Sequence, residues 1–296
     1  MDLHDYLTKK RATVENALKG FMPEPTGFSA EVISAMAYSL FADGKRLRPI
    51  LCIAGAEAVG GNPSGVIPVA CAMEMIHTYS LIHDDLPAMD DDDFRRGKLT
   101  NHKVFGEAIA ILAGDGLLTE AFNLMTKVRK SSDVSYESLP TVIGKIAIAA
   151  GYRGMVGGQA VDISMEGKEV DADLVKYIHT HKTGALISVS VTSGAILGGG
   201  SAEEIKAIQE YGDGIGLAFQ IADDILDIEG DSQEMGKSSG SDEKKGKITY
   251  PSIFGLNRSK ELLRETVELA VKSLDQFDLK ADPLRYIAGY IIERKK

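Results

Sequence analysis

Apolar residues recur at helical spacing along almost the whole chain, and no alternating apolar–polar run between turn residues is long enough for a sheet. The periodicity predicts helices over about 3–20, 29–42, 48–60, 66–86, 102–129, 136–166, 172–198 and 202–229, with shorter ones to the C-terminus. The breaks are short and carry turn chemistry: Pro23 and Pro25, Gly60-Gly61-Asn62-Pro63, Pro140, and Gly198 to Gly200. The expected fold is all-α. Gly and Ala stud the helix interiors, as in KIAIAAGYRGMVGGQA at 145–160. Each interior Gly costs about 1 kcal/mol against Ala, so close helix–helix or helix–ligand approach is expected as compensation. No linker, repeat or composition shift divides the chain, which reads as one domain, 1–296, of packed long helices. The least orderly stretch, Glu229 to Lys247, is polar and glycine-rich and reads as a mobile surface loop.

The totals exclude several classes. At 296 residues, 44% hydrophobic and 26% charged, the chain is long enough to bury a substantial core. A net charge of -10 argues against nucleic acid, whose phosphates demand clustered Lys and Arg. Two cysteines, Cys52 and Cys71, make no disulfide framework and fit a reducing compartment. The N-terminal twenty residues mix both charge signs and lack the apolar core of a signal peptide. The most apolar stretch, Leu186 to Gly200, is too short and glycine-rich to span a bilayer. A soluble cytoplasmic protein without membrane insertion is expected.

One segment demands a chemical explanation. From His77 to Asn101 the chain reads HTYSLIHDDLPAMDDDDFRRGKLTN: an apolar helical run ends in Asp84 and Asp85, and four more aspartates and two arginines follow by residue 96. Acidic runs are ordinarily solvated surface. An EF-hand is excluded, because Asp90 to Asp93 are contiguous and no glycine or closing glutamate falls where that loop needs one. A second acidic site, FQIADDILDIEG at 219–230, follows about 140 residues later. Asp223 and Asp227 are four apart, so their carboxylates share one helical face, flanked by apolar Ile221, Ala222, Ile225 and Leu226. Carboxylates held together in such surroundings call for a cation. Oxygen-only ligands favour hard cations, of which magnesium typically takes one or two carboxylates together with waters and substrate phosphates. Lys45 and Arg48 in GKRLRP, Arg95 and Arg96 in RRGK, Lys182 in HKTG and Lys237 in GKSS would then bind the remaining diphosphate oxygens.

With these residues in place, the chain resembles the trans-isoprenyl diphosphate synthases, specifically their bacterial farnesyl diphosphate synthase type. DDLPAMD (84–90) matches the first aspartate-rich motif in its longer form, and DDILD (223–227) matches the second. GKRLRP, EMIHTYSLIHDD, RRGK, GGQAVD, KTG, FQIADD and the GK at 236–237 match in order, over nearly the whole chain. Leu99 departs from the proline more usual after RRGK; a loop adjustment is expected there.

The resemblance implies a bundle of long helices around a central active-site cavity. It implies Asp84 and Asp90, with Asp85 nearby, as ligands of two magnesium ions, and Asp223, with Asp224 and Asp227, as ligands of a third; Mn2+ could substitute. Arg95, Lys182 and Lys237 would complete the hold on an allylic diphosphate, dimethylallyl or geranyl. Isopentenyl diphosphate would sit on Lys45, Arg48, His77 and Arg96 without metal, and Thr183 and Gln220 would turn oxygens toward the cation. His77 lies seven residues before Asp84, about 10.5 Å along the same helical face. Arg95 and Arg96 are read as helical neighbours pointing about 100° apart, which lets each serve a different diphosphate. Pro87 is expected to stop the helix that carries Asp84 and Asp85 and let a loop return Asp90 toward Asp84. Tyr79, five residues before Asp84 and about 7.5 Å deeper, would be the floor for a growing tail, with small Ser80 beside it. A homodimer is implied. The same resemblance admits a geranylgeranyl synthase. A class I terpene cyclase, or a non-catalytic subunit of a heteromeric synthase, fits DDILD and the two whole aspartate motifs less well.

Overall fold

The computed structural model describes residues 2–130, 134–168, 171–229 and 249–294. Residues that repeat at helical spacing form helices: α1 (Leu3–Phe21), α2 (Ala30–Leu40), α3 (Leu47–Ala58), α4 (Ile67–Asp84), α5 (Asn101–Phe105), α6 (Glu107–Met125) and α7 (Leu139–Ala150). They continue with α8 (Met155–Met165), α9 (Ala172–Ile178), α10 (Ala185–Leu197), α11 (Ala202–Glu229), α12 (Tyr250–Phe254), α13 (Leu256–Lys272) and α14 (Asp282–Glu293). Side chains close the helix starts. Asp2 accepts the Asp5 N–H at α1, and Ser201 and Glu204 cap each other's N–H groups at the head of α11.

Two predicted helices are broken by glycine. The helix expected over 102–129 divides at Gly106, whose φ of 83° no regular helix allows. The one expected over 136–166 divides between Gly151 and Gly154. A third departs from α geometry without breaking: His179–Gly184 form a turn of π-helix between α9 and α10. Among the described residues the one sheet is a hairpin pairing Phe94–Arg95 with Lys98–Leu99. Its two loop residues, Arg96 and Gly97, have φ of 54° and 75°, as a type I′ turn requires. Arg95 and Arg96 are therefore strand and turn residues, which corrects their reading as helical neighbours.

Helix α10 is the axle: every residue from Leu186 to Leu197 is buried. It packs on α3 and α11, and α4 packs on α6. The interior glycines let the backbones meet. A Cβ on Gly55 would lie 2.1 Å from the Val191 carbonyl oxygen, and one on Gly194 1.8 Å from that of Cys52. Two apolar clusters share α3 and α10. One takes Cys52, Ile53 and Val189 with α4, α6 and α7 residues, and the other takes Leu51, Ala54 and Val191 with α11, α13 and α14 residues. Two stretches, Pro63–Asp84 and Glu107–Met125, are long and apolar enough to cross a membrane by length and composition. In the fold they contain α4 and α6, packed on each other.

Candidate active site

Helix α4 ends at Asp84, two residues short of the predicted 66–86, and Asp85 caps it. The chain then turns through Pro87, and the Asp90 N–H donates to the Asp84 carbonyl at 2.8 Å, so Asp84 and Asp90 become neighbours. The Asp84 carboxyl is pushed up to about 6, chiefly by burial and further by Asp90 and Asp85, against the opposing charges of Lys182 and Arg95. Asp85 is 3% exposed and accepts from Nε and Nη2 of Arg95, each at 2.6 Å. The rest of the aspartate run is spread out: Asp92 approaches Arg95 at 3.6 Å, and Asp93 pairs with Lys103 at 2.7 Å.

The second motif lies on α11. Burial raises the Asp223 carboxyl, while Arg294, whose Nη2 donates at 2.6 Å, and Lys45 favour its charged form. Asp227 lies one turn further along the helix. Asp224 is different. It is 2% exposed and turned inward, facing Nε2 of His179 at 2.8 Å and accepting from the Tyr250 N–H at 2.9 Å and Nε2 of Gln220 at 3.1 Å. Both its oxygens are engaged inside the protein.

Lys182 joins the two halves. Its charge acts on Asp84, its Nζ donates to Asp162 of α8 at 2.6 Å, and its neighbour Thr183 donates to Oε1 of Gln220 on α11 at 2.9 Å. The Gln220 oxygen is thus already engaged by Thr183. Lys237 lies outside the described residues, as does nearly all of the Glu229–Lys247 stretch.

A metal-free cation cluster adjoins this centre. Burial lowers Arg48 to about 10, with Arg96 adding to the effect and Glu74 and Asp223 opposing it. His77 is held well below its ordinary value by burial and then by Arg48, Arg96, Arg95 and Arg46, so its ring is neutral. The Arg48 Nε is buried without a hydrogen-bond partner among the described residues. A buried orphan donor among like charges suits an incoming anion. Glu74, 1% exposed, offsets the cluster from beneath and pairs with Nη1 of Arg46 at 2.7 Å. Lys45 lies near Asp223, its ammonium 5.9 Å from the Tyr290 ring centre.

Tyr79, 6% exposed, meets the His83 ring edge-on at 5.7 Å, and its hydroxyl is pushed up to about 12 by burial and by Asp84. The Ser80 hydroxyl donates to the His77 carbonyl at 2.9 Å. Sequence reasoning missed Glu74, Arg46, Asp162, His179 and Arg294. Arg46, Glu74 and Asp162 were visible within GKRLRP, EMIHTYSLIHDD and GGQAVD, whereas His179 and Arg294 lie in stretches that read as ordinary helix or chain end.

Among the described residues no three carboxylate, imidazole or thiolate groups converge on one point. The aspartates come in pairs, which fits magnesium better than calcium, since magnesium leaves most positions to water and phosphate. Two aspartate segments, a lysine whose charge acts on the first and whose neighbour bonds to the helix of the second, and a flanking cation cluster on an all-α bundle suit an enzyme that handles diphosphates.

The chain belongs to the polyprenyl synthetase family, whose model matches residues 30–280. It is 47% identical to a farnesyl diphosphate synthase of Geobacillus stearothermophilus over 99% of this chain and 98% of that protein. It is likewise 47% identical to a heterodimeric geranylgeranyl pyrophosphate synthase large subunit from Arabidopsis thaliana, over 99% of this chain and 80% of that one. Among solved structures, geranylgeranyl pyrophosphate synthetase from Pyrococcus horikoshii superposes with a TM-score of 0.89 at 30% identity, covering 99% and 98% of the two chains. The protein is a prenyltransferase of isoprenoid biosynthesis.

Proposed function

We propose that the protein condenses isopentenyl diphosphate with dimethylallyl and then geranyl diphosphate to release farnesyl diphosphate. The observation that supports this reading best is the contrast between its two anion sites. One is rich in paired carboxylates and needs cations before it can accept a diphosphate; the other is rich in arginine and needs none. Asp84 and Asp90 on one side, and Asp223 with Asp227 on the other, would hold magnesium, which when bound would supply positive charge to stabilise the departing diphosphate. Three ions is the number that the resemblance implies.

Lys182 and Arg95 add charge to the same diphosphate, and Arg95 must exchange Asp85 for phosphate oxygens to do so. Arg48, Arg96, Lys45 and neutral His77 hold the isopentenyl partner, with Glu74 keeping the cluster from repelling itself apart in its absence. The allylic C1–O bond breaks as pyrophosphate departs, and the isopentenyl double bond attacks C1. Loss of a proton to the departing pyrophosphate then completes the longer chain. Tyr79 supports a fifteen-carbon limit, because a buried ring below Asp84 leaves a tail anchored there little depth. The geranylgeranyl reading stays as the second, favoured by relatives of that name at the same identity. Incubation with magnesium, isopentenyl diphosphate and each allylic diphosphate, followed by sizing of products, decides between them. Accumulation of a twenty-carbon diphosphate would refute the product assignment.

A further inference from the structure

Helix α11 presents Gly212, Gly216, Gln220 and Asp224 at four-residue intervals, hence on one face. Along that face it meets the start of α10 and the π turn. A Cβ on Gly212 would lie 2.9 Å from Cα of Ser188, and one on Gly216 2.6 Å from Cα of Gly184, so the backbones nearly touch. The next two rungs are polar: Thr183 to Gln220 at 2.9 Å, and His179 to Asp224 at 2.8 Å. The wider π turn directs both His179 and Thr183 at α11 while Lys182 reaches Asp162 on α8.

Hydrogen-bond chemistry orients this ladder. The His179 Nδ1 lies 2.9 Å from the Val175 carbonyl, which can only accept, and Nε2 faces the Asp224 carboxylate. Asp224 also receives the Tyr250 N–H on the oxygen facing His179 and the Gln220 amide nitrogen on the other. A carboxylate turns the NH2 end of Gln220 toward itself, and the Gln220 oxygen must then face the other way, where it meets the Thr183 hydroxyl. His179 thereby decides which pole of a glutamine amide lies toward the Lys182–Thr183 corner of the site. If Asp224 swung away, the amide would be free to flip and present its positive end.

We propose that His179 is a positioning residue for ionisation of the allylic substrate: by holding Asp224 inside the protein it locks the Gln220 amide with its oxygen, and not its NH2, toward the Thr183–Lys182 corner of the site. This rests on the prenyltransferase reading above. It requires no bond to His179 itself, and the lock acts only as charge develops on carbon, so it belongs to turnover and not to ground-state binding.

The test compares the native protein with His179→Leu, His179→Gln and Asp224→Asn. Geranyl and isopentenyl diphosphates at saturating magnesium serve as substrates, and a non-ionising geranyl thiodiphosphate serves as the binding probe in calorimetry. His179→Leu should lower kcat on the order of 10²-fold while both KM values and the Kd of the thio-analogue stay within roughly threefold. His179→Gln, whose amide nitrogen can still donate to Asp224, should recover about tenfold of that loss. If His179→Leu does not fold, the isosteric Asp224→Asn should show the same loss confined to kcat. Native-like kcat in folded His179→Leu, native-like kcat in Asp224→Asn, or equal losses in the Leu and Gln variants would overturn the inference alone. A native protein that condenses no pair of isoprenoid diphosphates would overturn the prenyltransferase reading with it.

Discussion

Asp84 holds a carboxyl pushed up to about 6 by burial and by Asp90 and Asp85. An aspartate in the unfolded chain titrates near ~3.9. Between these values the native protein binds more protons than the unfolded chain, so stability without metal falls as pH rises from about 4 to about 6, and the loss is complete above that. Asp84→Asn removes the conflict and should raise the thermal midpoint of the metal-free protein at neutral pH. Turnover at saturating magnesium should meanwhile drop at least ~10³-fold, as it should in Asp223→Asn. Near-normal turnover in either variant would sink the metal assignment. With Asp84 as a magnesium ligand, protons would compete with the metal for its oxygens, so the magnesium concentration needed for half-maximal rate should climb as pH falls through about 6. A half-maximal concentration independent of pH between 5 and 8 would show that Asp84 is no ligand.

The hairpin is the element that separates the two arginines. Arg95 lies on a strand and turns back to Asp85, whereas Arg96 sits at φ 54° in the turn and lays its guanidinium over Gly44, where a Cβ would lie 2.6 Å from Nη1. Arg96→Ala should therefore raise the KM for isopentenyl diphosphate, and Arg95→Ala that for the allylic partner, each by about tenfold or more at a charge-assisted contact. Equal effects on both substrates would refute the assignment.

What the sequence disclosed at this scale follows the physics. Long apolar periodicity made α4 and α11 plain, together with the aspartates at their ends, because burial patterns repeat locally. Gly106 was invisible as a break because apolar spacing continues straight through it, and only its positive φ ends the helix. The inward turn of Asp224 was illegible for another reason. It depends on His179 and Tyr250, 45 and 26 residues away in sequence, and DDILD looks the same whichever way the carboxylate faces. The sequence reading did foresee that interior glycines mark close helix packing, as Gly55 and Gly194 do.

For the whole molecule, the outcome of catalysis is a length. Tyr79 belongs to the core between α4 and α6, edge-on to His83, whose Nε2 lies 3.1 Å from the Ile111 carbonyl. Removing the ring should let the tail continue: Tyr79→Ala is expected to release products of twenty carbons or more and to lose about 3 kcal/mol of stability from the emptied volume. Chromatography of the dephosphorylated alcohols reads the first and thermal melting the second. Products still ending at fifteen carbons would place the floor elsewhere.

The axle, α10, bears on a different property. A helix buried from Leu186 to Leu197 has no face from which it can be peeled away, so its amides should exchange with solvent only when neighbouring α3 and α11 let go as well. The π turn that carries Lys182 and Thr183 is the direct continuation of that helix. Deuterium should enter α10 last of all the described helices, and early labelling there would contradict its role. Reactive groups are usually mounted on the parts of a protein that give way first; here the lysine proposed to meet the leaving diphosphate is fixed to the part expected to give way last.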